Sequence, residues 1–132
     1  MADGDFVQLA ETISPGRRLG RHVEHDARSR NFPAAVVPIA DVTHVRHGEP
    51  FDQGQLGSCT GNAMAGALMT APYYQSGRTL VEASAVQLYE QATHLDNVQG
   101  SYPPDDTGST GLAVAKAAKR DGYISAYSHA FG

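Results

Sequence analysis

The sequence predicts a mainly helical domain behind an irregular N-terminal arm, and three observations predict it. Apolar residues recur at helical spacing in three separate stretches beyond residue 57. Pro15, Pro33, Pro38 and Pro50 punctuate the first fifty residues, which carry few helix signals. The 132 residues are 41% hydrophobic and include no tryptophan, enough for one modest core in a single domain or in one half of a larger one.

Taken in order, residues 1–50 read as an extended arm with one short extended piece, "AAVVPIA", at residues 34–40. Residues 51–132 read as a helical domain. Its first helix spans residues 58–70 and is stopped by Pro72. Gly61 and Gly66 lie inside it, each costing about 1 kcal/mol against alanine. A sequence keeps that cost where another element must come close. With Ala63, Ala65 and Ala67 alongside, this helix is expected to be buried between other elements. The second helix spans residues 82–95 and places Ala85, Leu88, Tyr89, Ala92 and Leu95 on one face. The third, residues 110–122, has Thr110 as its N-cap, basic residues in its last turn and Gly122 as its stop. Between the last two lies "NVQGSYPPDDTGS", a loop rich in proline, glycine and aspartate.

Composition removes several function classes. The net charge is −4, and the one basic cluster, "RRLGRHVEHDARSR", is interrupted by Glu24 and Asp26 and has no aromatics to stack bases. A solvated arm is expected there, with neither nucleic acid nor membrane as partner. Acidic residues stand where a signal peptide needs basic ones, and no segment has the length of a membrane span. The single cysteine excludes an internal disulfide. A soluble, cytoplasmic protein without cofactor is the expectation. Two His-x-x-His pairs, His22 with His25 and His44 with His47, offer a zinc site with Cys59. Both pairs lie in proline-flanked, non-helical sequence, so metal binding ranks as the lesser alternative.

The stretch that carries chemistry is "FDQGQLGSCTGNAMAGALM", residues 51–69. Cys59 stands at the start of the first helix. A thiol in a first turn faces unpaired N–H groups and the positive end of the helix dipole, and both stabilise a thiolate. A lone cysteine is more often a buried structural residue. Here Gln53 stands six residues ahead, Gly54 and Gly57 shape the turn, and Ser58 immediately precedes the thiol.

"DQGQLGSC" closely resembles the active-site segment of papain-like cysteine peptidases, where Gln, Gly, Gly, Ser and Cys recur at this spacing. The resemblance implies an α+β fold of the papain type, of which this chain is the mainly α left-hand portion, with the cysteine helix lining the cleft. It implies Cys59 as nucleophile and Gln53 as side-chain donor to the oxyanion hole, with the Cys59 N–H as second donor; Gly54, Gly57 and Ser58 shape the cleft wall. The substrate would be a peptide or protein, cleaved through a thioester acyl-enzyme. "LVEASAVQLYEQATHLD" and "DDTGSTGLAVAKAAKRDGYI" loosely resemble the family's next helix and its following loop, helix and turn.

The sequence also departs from the family. Leu56 replaces the first cysteine of the plant and lysosomal signature, and Thr60 replaces its aromatic. The first change removes a disulfide, as in simpler bacterial or viral members; the second alters packing around the thiol. Fifty-two residues precede Gln53, too few and too irregular for the family's helical inhibitory propeptide. The family's His and Asn lie about 130–150 residues beyond the nucleophile. The chain is therefore expected to stop before the β-rich second domain and to be catalytically incomplete. His94 and His129 read as surface or capping histidines. A non-catalytic papain-like binding or structural module is the alternative. Self-association, or a second chain, is expected to cover the exposed helix face.

Overall fold

The computed structural model describes residues 21–24 and 26–130. Three α-helices form the body: α1 (Cys59–Leu68), α2 (Glu82–Leu95) and α3 (Gly111–Arg120). Two very short parallel strands accompany them, β1 (Arg21–His22) and β2 (Ser109–Thr110), with Arg21 opposite Ser109 and His22 opposite Thr110. A 3₁₀ helix spans Ala27–Asn31. The structure is thus mixed, mainly helical with one two-stranded sheet.

Local chemistry sets the helix ends. At α2, the Ser84 hydroxyl accepts from the Val81 N–H at 3.1 Å, satisfying a donor ahead of the first turn. At α3, the Thr110 hydroxyl accepts from the Ala113 N–H at 3.1 Å. Gly122, at φ +79°, lets the chain reverse so that Tyr123 N–H reaches the Ala118 carbonyl at 2.9 Å. Lys119 and Arg120 lie in this last turn, at the negative end of the dipole.

The three helices share one core. Ala65 and Leu68 of α1 meet Ala85, Leu88 and Ala92 of α2, and these meet Ala113, Val114, Ala117 and Ala118 of α3. Tyr89 is fully buried, and Leu95 packs half-buried at the edge. Alanine dominates because the helices lie close together. A Cβ built on Gly61 would stand 2.1 Å from the Ala85 carbonyl oxygen and 3.0 Å from Tyr89 N and Cβ. No side chain fits there, so Gly61 is the residue that lets α1 and α2 touch.

α1 is not enclosed on all sides, contrary to expectation. Its buried residues are Thr60, Gly61, Ala65 and Leu68, while Ala63 and Ala67 are exposed. A three-helix layer has an outer side, and on α1 Ala63 and Ala67 lie on it, with Cys59, Asn62, Met64 and Gly66 half-buried. A second contact is made by the arm. Arg46 lies over the Phe51 ring at 5.1 Å, and its Nη1 would stand 3.0 Å from a Cβ on Gly66. His47 stacks on Tyr74 at 3.7 Å, and backbone bonds from His47 N–H to Met69 O (2.8 Å) and from Ala71 N–H to Val45 O (2.9 Å) fasten this part of the arm beside the end of α1.

Among the described residues the rest of the arm carries little regular structure. Residues 34–40 form no strand; Val36 and Ile39 are fully exposed, and Val37, Val42 and Val45 are largely so. The regular pieces lie earlier, in residues read as irregular. The 3₁₀ helix starts where the Asp26 carboxylate accepts from Arg28 N–H at 2.9 Å and pairs with the guanidinium at 2.6 Å. β1 is placed by β2, helped by a 2.6 Å contact between His22 Nε2 and the Thr107 carbonyl. Arg17 and Arg18 of the basic cluster, and His25, lie outside the described residues. Among the described residues no helix is long and apolar enough to cross a membrane.

Candidate functional site around Cys59

α1 begins at Cys59 itself, with Ser58 as its N-cap. The first helix is therefore one residue shorter at this end than the sequence suggested and ends at Leu68, ahead of Pro72. Ser58 is completely buried, but its hydroxyl caps no backbone N–H of the helix. Instead it accepts from Asn62 Nδ2 at 3.0 Å, and its carbonyl accepts from both Asn62 N–H and Nδ2 at 3.0 Å. The side-chain acceptor that normally serves an N-cap is thus turned onto Asn62. Cys59, a free thiol, is half-buried at this uncapped helix start.

The residues ahead of it form a tight turn. The Gly54 N–H donates to Asp52 Oδ1 at 2.9 Å, and Gly54 itself adopts φ +60°. Gln53 Nε2 donates to the Leu56 carbonyl at 2.9 Å, while Leu56 N–H reaches back to Gln53 O at 3.3 Å. One amide hydrogen of Gln53 is therefore used within the turn and the other remains for a further acceptor. Gly57 is buried, and its N–H donates to both carboxylate oxygens of Asp106, at 3.1 and 3.0 Å.

Asp106, 49 residues away, was not foreseen as part of this site. It also accepts from the Tyr89 hydroxyl at 2.6 Å, and that hydroxyl accepts from the Gly108 N–H at 2.9 Å. Burial, and next the bond to Asp106, push Tyr89 ionisation above the usual tyrosine range, so the hydroxyl stays a donor. Further along, the Ser109 hydroxyl donates to Asp96 at 2.6 Å and Tyr102 N–H donates to Thr93 at 3.0 Å. These bonds pin the 96–109 loop to α2. In the sequence Tyr89 showed only as a core position and Asp106 only as one acid of a turn-rich loop.

Thr60 is buried with no hydrogen-bond partner for its hydroxyl. His94 and His129 are exposed. Among the described residues no three His, Cys, Asp or Glu side chains gather closely enough to hold a metal ion. Comparison of the chain with protein-family models, with curated proteins and with solved structures finds no match.

Proposed function

We propose that this chain is the nucleophile-bearing, mainly α left-hand part of a papain-like cysteine peptidase, with Cys59 as the attacking thiol and Gln53 as an oxyanion donor. The observation that carries the proposal is the position of Cys59: the first residue of α1, half-buried, on an uncapped helix start behind a buried Gly-Ser turn. Helix-start N–H groups favour negative charge on sulfur, and on the oxygen of an attacked carbonyl. In the proposed step the Cys59 sulfur bonds to the substrate carbonyl carbon, the amide C–N bond breaks, and the leaving amine takes a proton. Water then cleaves the thioester. The base that serves both steps is assigned to no histidine of this chain, so almost no turnover by the chain alone is expected. A cytoplasmic setting belongs to the same proposal, in keeping with a single free thiol.

A specific observation favours a second function, that of a non-catalytic module. Gln53 already spends one amide hydrogen on Leu56, inside its own turn. Two measurements separate the functions. The first is the rate of iodoacetamide alkylation of Cys59 at pH 7 against a free cysteine peptide. The second is cleavage of a mixed fluorogenic peptide library by the chain and by Cys59→Ser. Alkylation well above the free peptide, with any cleavage lost in Cys59→Ser, is the expected result. Alkylation no faster than the free peptide, with no Cys59-dependent cleavage, overturns the nucleophile assignment and leaves the module.

A further inference from the structure

Nothing in the reading of Cys59 as a nucleophile explains why a buried backbone N–H two residues ahead of it should be held by a carboxylate from a distant loop. Gly57 is tied to Asp106 by two contacts of 3.1 and 3.0 Å, and no side chain fits between them: a Cβ on Gly57 would stand 2.9 Å from Asp106 Oδ1. The carboxylate is itself held. The Tyr89 hydroxyl donates to it at 2.6 Å, and Gly108 N–H fixes that hydroxyl from behind at 2.9 Å. Tyr89 is fully buried in α2, whose backbone is in contact with α1 at Gly61. The chain of contacts therefore runs from the rigid α1–α2 core, through a phenol and a carboxylate, to the backbone two residues before the thiol.

We propose that Asp106 is a positioning residue for Cys59: clamped by Tyr89, it fixes the turn at residues 57–59 through the Gly57 N–H and so sets where the thiol and its helix-start N–H groups stand. It touches no reacting atom. Its role rests on the assignment of Cys59 as the nucleophile, but its geometry does not. A bond to a charged acceptor is among the stronger hydrogen bonds of a protein, and a buried N–H left without one is costly. That is why a single carboxylate can decide the conformation of this turn. Asparagine at 106 keeps the shape but offers one acceptor oxygen where aspartate offers two, and alanine offers none.

The test combines amide exchange with thiol reactivity in Asp106→Asn and Asp106→Ala. Ser109→Ala serves as a control that removes a different bond of the same loop, the one to Asp96. In the wild-type chain the Gly57 amide should be protected from exchange relative to that of exposed Gly77. In both Asp106 variants Gly57 should exchange about tenfold faster or more, beyond any change shared with core amides of α2 and α3. Ser109→Ala should show only the shared change. Iodoacetamide alkylation of Cys59 should slow several-fold in the Asp106 variants and not in the control. Removing a negative charge near a thiol would by itself speed alkylation, so a slower rate reports lost positioning and not lost charge.

Gly57 exchange or Cys59 alkylation that follows the control overturns the proposal, as does faster alkylation in Asp106→Asn. Should the variants not fold, the wild-type chain decides: a Gly57 amide exchanging as fast as exposed Gly77 overturns the clamp. If wild-type Cys59 alkylates no faster than a free cysteine peptide while Gly57 responds to Asp106 as expected, the nucleophile assignment fails and the clamp stands as a structural one.

Discussion

Replacing Gly61 with alanine tests the tightest contact of the fold. The added methyl would stand 2.1 Å from the Ala85 carbonyl oxygen and 3.0 Å from two Tyr89 atoms, and two of the three atoms it meets are backbone. No rotamer change relieves such a clash, so α1 and α2 must separate by roughly 1 Å. A gap of that size forfeits about a quarter to a half of the dispersion energy of the contacts it opens. Here those contacts join Ala65 and Leu68 to Ala85, Leu88 and Ala92. Overpacking of this kind costs about 1–3 kcal/mol and occasionally more, and a backbone obstacle belongs at the upper end. Alanine returns up to about 1 kcal/mol through helix propensity. The net expectation is a loss of about 2–3 kcal/mol, a large share of the roughly 5–15 kcal/mol that hold a domain together. For a chain this size that is a fall in melting temperature of roughly 10 °C. Urea unfolding followed by far-UV circular dichroism measures it. Gly111→Ala is the internal control, because nothing lies within 4 Å of its Cβ position; it should be neutral or slightly stabilising. A Gly61→Ala stability within about 0.5 kcal/mol of wild type, the range of an ordinary surface change, would refute the close α1–α2 packing.

Three more outcomes are expected. Thr60→Val, which removes a buried hydroxyl that has no partner, should raise stability by about 1 kcal/mol in the same urea assay; a loss would mean the hydroxyl is bonded. The bond and ion pair from Arg28 hold the Asp26 carboxyl down at about 2 against an ordinary 3.8. Its small stabilising contribution is present above pH 3.8 and is lost as pH falls towards 2; carboxyl-detected NMR titration should show a midpoint returning towards 3.8 in Arg28→Ala. The exposed aliphatic strip of Val36, Val37, Ile39, Val42 and Val45 should drive self-association, seen as a light-scattering mass that rises with concentration and rises less in a Val36→Ser, Ile39→Ser double variant. A mass independent of concentration would show that the strip is inert in the isolated chain.

Sequence alone determined the local features of this protein. Helical periodicity marked α2 over residues 82–95, with Ala85, Leu88, Tyr89 and Ala92 on its buried face, because side-chain direction in a helix repeats every 3.6 residues whatever surrounds it. Thr110 and Gly122 marked the ends of α3, because a cap and a left-handed stop are chemistries of single residues. The glycines of α1 and the cysteine ahead of them were visible for the same reason. What only the tertiary structure decided is which element each of those features meets. Gly61 answers to a carbonyl of α2 and Gly66 to Arg46 of the arm, and no spacing in the chain encodes either partner. Residues 34–40, read as a short extended piece, pair with no strand, since a strand is stabilised by its neighbours and not by its own residues. The two residues of β1, read in the sequence as part of a solvated basic arm, became a strand because β2 lay beside them. Asp106 reached the turn before Cys59 from 49 residues away, since a carboxylate in a loop goes to whichever buried N–H the packed helices bring within 3 Å of it.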